Sequence, residues 1–180
     1  KVTSVPYIKM TQGLLQSLGI EVLFLNNRIR VEPLNLEDLI VDQMAVESDW
    51  SAASYYYSIV AMSPLRSSIE LSVIKESSLQ GDRVLATIYE SFGVRTQFLK
   101  DKVRLEKIDT AVTSAPLTLD LADAPDIAQT IAVTALGLGV CCDLYGLHTL
   151  PIKETDRLYA MKIELEKCGA KVRITADSLH

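Results

Sequence analysis

Four charged side chains crowd into five residues of the stretch PIKETDRLYAMKIELEKCG: Lys153, Glu154, Asp156 and Arg157. A solvated helix start needs one capping side chain and gains from one acid, so two cations and two anions exceed that need. Thr155 suits the N-cap of a helix over Thr155–Cys168, with Asp156 in its first turn. Leu158, Met161, Leu165 and Cys168 supply the apolar stripe, and Lys162, Glu164, Glu166 and Lys167 fall off it. Lys153, Glu154 and Arg157 are left without a structural duty. Lys153 and Arg157 stand four apart beside the free N–H groups of a helix N-terminus, which suits a phosphate or carboxylate with a proton-carrying group alongside. Surface ion pairing accounts for the same residues, and the run by itself leaves both readings open.

Two further stretches carry candidates. In ADAPDIAQTIAVTALGLG, Pro125 fits a first helical position and Asp126 follows it, ahead of a helix apolar nearly all round. Asp126 there either complements the helix dipole or acts as a base kept ionised in a dry cleft. In TSVPYIKM, Ser4 precedes a helix begun by Pro6 and Tyr7 lies in its first turn, which reads locally as a cap and a packing ring. The run Tyr55-Tyr56-Tyr57 must point several ways round a helix and receives no chemistry. His148 is a lone histidine among leucines and reads as structural. Cys141, Cys142 and Cys168 lack metal-binding spacing and read as buried thiols of a reducing compartment.

These residues must be held by a fold, and the chain can build one. Of its 180 residues 48% are apolar and 23% charged, enough for a packed core. The net charge of −5 argues against nucleic acid as a partner. No run of 18 apolar residues suggests a membrane span and no leader is visible, so a cytoplasmic protein is expected. The chain opens on Lys1 and stops after a strand-like segment, so it reads as a piece of something longer.

Periodicity predicts helices over Pro6–Leu18, Ser51–Met62, Arg83–Phe92, Pro125–Leu138 and Thr155–Cys168. Strands are expected at Glu21–Leu25, Arg28–Glu32, Met44–Val46, Ser68–Ile74, Arg95–Leu99, Val103–Lys107, Leu117–Leu119, Val140–Tyr145 and Lys171–Thr175. Asn26-Asn27 and Lys100-Asp101 are turn signals, and Pro33–Gln43 reads as a loop. Three helices close on glycines, Gly19, Gly93 and Gly169, which recur 74 and 76 residues apart. Asp82 and Asp156 stand near the starts of the second and third of these. The expected fold class is therefore α/β, built from repeated βαβαββ units with helices inside and sheet outside, although glycine-stopped helices are general to α/β proteins.

KETDRL, with APDIAQTIA upstream, SLQGD before that, then VESDWSAASY and SVPYI, resembles the 5-enolpyruvylshikimate-3-phosphate synthase family along essentially the whole chain, from Ser4 to about Thr175. KETDR is close to diagnostic, and the sister transferase acting on UDP-N-acetylglucosamine is not expected to carry it. The resemblance implies transfer of the enolpyruvyl group of phosphoenolpyruvate to the 5-hydroxyl of shikimate 3-phosphate, with loss of phosphate, on the route to the aromatic amino acids. It implies inside-out α/β barrel domains, no metal or organic cofactor, and glyphosate as an inhibitor at the phosphoenolpyruvate site.

By the same resemblance Asp126 is the base on the shikimate hydroxyls and Lys153 contacts the same hydroxyl. Glu154 delivers a proton to the methylene, and Arg157 grips the phosphoenolpyruvate carboxylate. Ser4 and Tyr7 hold shikimate 3-phosphate. Thr149 stands where an asparagine contacts substrate, and Trp50 where a small residue is usual. The family's N-terminal lysine and arginine cluster, Ser-Ser-Gln loop and C-terminal arginine and lysine have no counterpart. Residues 1–46 are then the tail of an N-terminal domain and 47–180 most of a C-terminal domain, with self-association of the piece left open. The alternatives are the UDP-N-acetylglucosamine enolpyruvyl transferase and a non-catalytic binding domain on the same fold.

Overall fold

The structure, a computed structural model, describes residues 4–39, 43–110 and 115–180. Helix α1, Val5–Ser17, leads into a hairpin of β1, Val22–Leu25, and β2, Arg28–Val31. Asn26 and Asn27 turn that hairpin with φ of 50° and 60°, the left-handed pair that a two-residue loop requires and that asparagine tolerates. The segment expected as the loop Pro33–Gln43 holds a 3-10 turn at Leu36–Asp38, and residues 40–42 lie outside the described part. Met44–Val46 forms no strand; all three residues are exposed, so their apolar character has no sheet to join.

Helix α2, Trp50–Ala61, starts where Asp49 accepts the Ser51 N–H at 2.8 Å. Gln80 braces the same start, with Oε1 accepting the Trp50 N–H and Nε2 donating to the Ser48 carbonyl. Strands β3 (Ser68–Ser72), β4 (Val94–Phe98) and β5 (Lys102–Lys107) form one sheet in the order β3-β5-β4, with β5 antiparallel to both neighbours. Between β3 and β4 the expected helix Arg83–Phe92 is wound more tightly. Only Leu85–Ile88 (α3) is α-helical, between 3-10 turns at Gly81–Val84 and Tyr89–Phe92. Three-residue winding puts side chains three apart on one side, and Asp82, Leu85 and Ile88, then Tyr89 and Phe92, are all buried. Gly93 stops the segment at φ 73°, where an added Cβ would lie 2.1 Å from the Asp109 carbonyl oxygen.

Strand β6 (Leu117–Asp120), helix α4 (Ala128–Leu138) and β7 (Cys142–Tyr145) make a crossover in which β6 and β7 pair in parallel. Helix α4 reads as apolar nearly all round because most of it is buried, packed against α2, α5 and β7, with Val133 left half exposed. Its two inward threonines are satisfied: Thr130 bonds the Ile127 carbonyl, and Thr134 bonds the Thr130 carbonyl, Ser58 and Tyr89. Tyr57 and Tyr89 meet at a tilt and Tyr89 and Phe92 edge-on, at centroid distances of 5.1 and 5.2 Å, in the core that Trp50 also joins. Helix α5 spans Arg157–Lys167, and its N-cap is Asp156, which accepts the Tyr159 N–H at 3.0 Å; Thr155 does not cap it. Lys171–Thr175 forms only an isolated bridge, Ile174 to Leu179, with Leu179 in turn bridged to Leu144. The thiols also depart from expectation. Cys141 and Cys168 are exposed and Cys142 is partly buried, because each sits at the end of an element and not along its inner face. No helix among the described residues is long and apolar enough to cross a membrane.

Candidate functional site

Parallel pairing of β6 and β7 sends the chain that follows each strand to the same edge of the sheet. After β6, a 3-10 turn at Pro125–Ile127 carries Asp126 into α4. After β7, a 3-10 turn at Leu150–Ile152 ends at Lys153, and Arg157 opens α5 after the Asp156 cap. The two loops meet at Asp126. Its Oδ1 lies 3.0 Å from Lys153 Nζ and 3.0 Å from Arg157 NH1, and its Oδ2 accepts from the Tyr7 hydroxyl at 3.1 Å. Side-chain exposure is 16% for Asp126, 31% for Lys153 and 24% for Arg157, so the cluster is recessed but open to a ligand.

Arg157 spends its other edge on Glu154. Nε donates to Oε1 at 2.7 Å and NH2 to Oε2 at 2.9 Å, a bidentate pair in which the glutamate is 64% exposed. The hydrogen bond from Arg157 holds the Glu154 carboxyl below the usual range, and Glu154 in turn raises the guanidinium. Burial, then the Asp126 charge, pushes the Tyr7 phenol up to about 12, which keeps it a donor at neutral pH.

A cleft of about 700 Å³ opens over this cluster between α2, α4 and α5. Asp49, Tyr55, Gln129, Lys153, Glu154 and Arg157 form its polar side, and Val133, Met161 and Leu165 line its apolar wall. Such a cleft can grip a small anion on a guanidinium and an ammonium and exchange a proton with a carboxylate beside them.

The structure thus brings together Asp126, Lys153, Glu154, Arg157 and Tyr7. It does not bring in Ser4 or Thr149. Ser4 begins α1 at φ 57°, exposed and with no side-chain cap bond. Thr149 is 8% exposed, its Oγ1 has no hydrogen-bond partner, and it does not line the cleft. His148 is exposed. Of the tyrosine run, Tyr57 is fully buried while Tyr55 and Tyr56 are exposed.

Sequence reasoning passed over Gln129, Tyr55 and Asp82. Gln129 gave a signal, since it is a polar residue three after Asp126 in an otherwise apolar helix. In the amide orientation that gives each atom a partner, its Nε2 donates to the Asp126 carbonyl at 3.0 Å and its Oε1 accepts from Arg157 NH1 at 3.3 Å. Asp82 reads as a dipole partner for its own segment, yet its buried carboxylate takes the Ser51 hydroxyl, and burial raises its pKa. Among the described residues no group of three or more His, Cys, Asp or Glu side chains could hold a metal ion.

The sequence profile of EPSP synthase (3-phosphoshikimate 1-carboxyvinyltransferase) matches residues 1–180. A 3-phosphoshikimate 1-carboxyvinyltransferase of Bacteroides fragilis is 39% identical over 99% of this chain and 42% of its own length. One from Neisseria meningitidis is 34% identical over 98% of the chain and 40% of its own length. One from Haemophilus influenzae is 29% identical over the whole chain and 40% of its own length. The chain therefore spans about two fifths of the relatives it matches.

Proposed function

This chain belongs to the EPSP synthase (3-phosphoshikimate 1-carboxyvinyltransferase) family, and from that premise we propose that it carries one wall of the active site of such an enzyme. The reaction is transfer of the enolpyruvyl group of phosphoenolpyruvate to the 5-hydroxyl of shikimate 3-phosphate, with release of phosphate. One observation carries the reading: a single recessed carboxylate, Asp126, is gripped at 3.0 Å by both an ammonium and a guanidinium.

Asp126 binds the shikimate hydroxyls and takes the proton of the attacking one, with Lys153 against the same oxygen to stabilise negative charge as it develops. Arg157 offers a planar fork to the phosphoenolpyruvate carboxylate. Glu154, now on that fork, delivers a proton to the methylene carbon as the hydroxyl adds to the neighbouring carbon. It takes one back from the resulting methyl group as the C–O bond to phosphate breaks, which restores the enol double bond in the product. Tyr7, kept protonated, donates to an oxygen of shikimate 3-phosphate, and Ser4 and Thr149 approach the same substrate once the rest of the protein closes on it.

The order α2-β3-α3-β4-β5 is a βαβαββ unit without its opening strand, and β6-α4-β7-α5 is the first two thirds of another, which supports repeated units in an inside-out barrel. In this reading residues 1–46 end an N-terminal domain and 47–180 make most of a C-terminal one. The test is phosphate release by the full-length protein from the two substrates, with Asp126→Ala abolishing it. Release that depends on UDP-N-acetylglucosamine instead, or turnover by residues 1–180 alone, would overturn the assignment or its division between two domains.

A further inference from the structure

We infer that Gln129 is a positioning residue that fixes which edge of the Arg157 guanidinium faces the ligand, an inference that rests on Arg157 receiving a carboxylate. Arg157 has five N–H donors in a rigid plane. Its NH1 is held from the protein side, at 3.0 Å by Asp126 Oδ1 and at 3.3 Å by Gln129 Oε1. Its Nε and NH2 form the opposite working edge, where Glu154 now sits as a bidentate carboxylate. That contact displays the geometry a ligand carboxylate would adopt, and Glu154 is exposed enough to swing away when one arrives.

Asp126 alone cannot define the plane. It shares Oδ1 between Arg157 and Lys153, and in the proposed reaction it must turn to a substrate hydroxyl and gain a proton. When that happens its hold on NH1 weakens, and Gln129 is the remaining neutral acceptor there. The other end of the same amide bonds the Asp126 main-chain carbonyl, so the guanidinium is tied to the backbone of the residue that performs the proton transfer. A neutral anchor suits the task, because its strength does not change when Asp126 does. Gln129 contacts no reacting atom in this scheme and acts through Arg157.

The experiment compares the full-length enzyme with its Gln129→Met variant, which keeps the length and apolar stem of the side chain but not the amide. The KM for phosphoenolpyruvate is expected to rise roughly tenfold, the effect of one hydrogen bond to a charged group. The KM for shikimate 3-phosphate and kcat should change far less, and the melting temperature should hold. Crystal structures of both unliganded proteins give a readout independent of activity: in the variant NH1 should keep Asp126 while the guanidinium turns out of the plane that the Gln129 amide now fixes. An unmoved guanidinium, or two KM values rising together with a fall in melting temperature, would overturn the inference. A wild-type enzyme that does not turn over the two substrates would instead sink the functional reading, and the crystallographic comparison would still decide the role of Gln129.

Discussion

Replacing Asp126 by asparagine removes a charge and almost nothing else, so it isolates what that charge does. Lys153 and Arg157 share Oδ1, and the amide oxygen will stay there to accept from both. The amide nitrogen then faces Tyr7, whose hydroxyl can rotate to accept in place of donating, and Lys153, which gives up its 3.3 Å bond to Oδ2 and keeps Oδ1. The geometry survives, and two charge–charge hydrogen bonds become charge–neutral ones. Bonds to ionised partners contribute about twice as much as neutral ones, and the two cations remain a quarter to a third exposed, so the loss in stability is about 1–2 kcal/mol in all. For a protein of this size that lowers the melting temperature by about 2–8 °C, and for the longer full-length enzyme by roughly half as much. In the proposed reaction the chemical cost is larger, since loss of a general base slows turnover about 10²–10⁴-fold. Calorimetry and phosphate release from the full-length enzyme measure the two effects separately. An asparagine variant that melts with the wild type and turns over at a similar rate would refute both the ion-pair account and the assignment of Asp126 as base.

Alkaline stability tests the core. Tyr57 and Tyr89 are fully buried and their phenols are raised from 10.0 to about 12, chiefly by burial, so the folded state keeps protons that the unfolded state releases. Their contribution is whole below pH 10 and falls as pH rises from 10 towards 12, by up to about 1.4 kcal/mol per pH unit for each phenol. Tyr57→Phe should flatten that fall in urea titrations, and an unchanged slope would contradict it. Gly93 and Gly169 both stop helices with positive φ, but a Cβ at Gly93 meets the Asp109 carbonyl while one at Gly169 meets open space. Gly169→Ala should therefore cost about 1–2 kcal/mol for the backbone alone, and Gly93→Ala clearly more; equal losses would show that backbone strain is the whole effect. Glu154→Gln removes the carboxylate now seated on Arg157 and should tighten phosphoenolpyruvate binding in calorimetry while slowing turnover; weaker binding would show that Glu154 does not compete for that edge.

Much of the scaffold was legible because its signals are local. Helices α1, α2, α4 and α5 and the Asn26-Asn27 turn follow from periodicity, proline placement and asparagine's tolerance of positive φ. What failed depends on partners that a sequence does not display. Met44–Val46 and Lys171–Thr175 have strand-like composition, but a strand exists only where a neighbour pairs with it, and Ile174 finds a single bridge. The tight winding of Arg83–Phe92 answers to the rings of Tyr89 and Phe92 beneath it, and the cysteines' exposure to where their elements end. In the candidate site the charges of Lys153, Glu154 and Arg157 announced themselves by exceeding what a helix start needs. Their convergence on Asp126 came from the family resemblance. Gln129 showed as a polar residue in an apolar helix, but its hold on Arg157 and the Ser51 bond of Asp82 were hidden because those partners are distant in sequence.

The parallel ladder of β6 and β7 makes the spacing between the proposed base and its cations a property of strand register. Leu117 stands opposite Cys142 and Asp120 opposite Tyr145, and each strand's exit launches one half of the constellation. A slip of two residues would carry one half past the other by about 7 Å, more than twice the reach of a hydrogen bond. Anyone transplanting this chemistry to another scaffold should therefore copy the pairing of two adjacent strand ends before copying any side chain. Loop lengths elsewhere in the domain leave that alignment untouched and are open to variation.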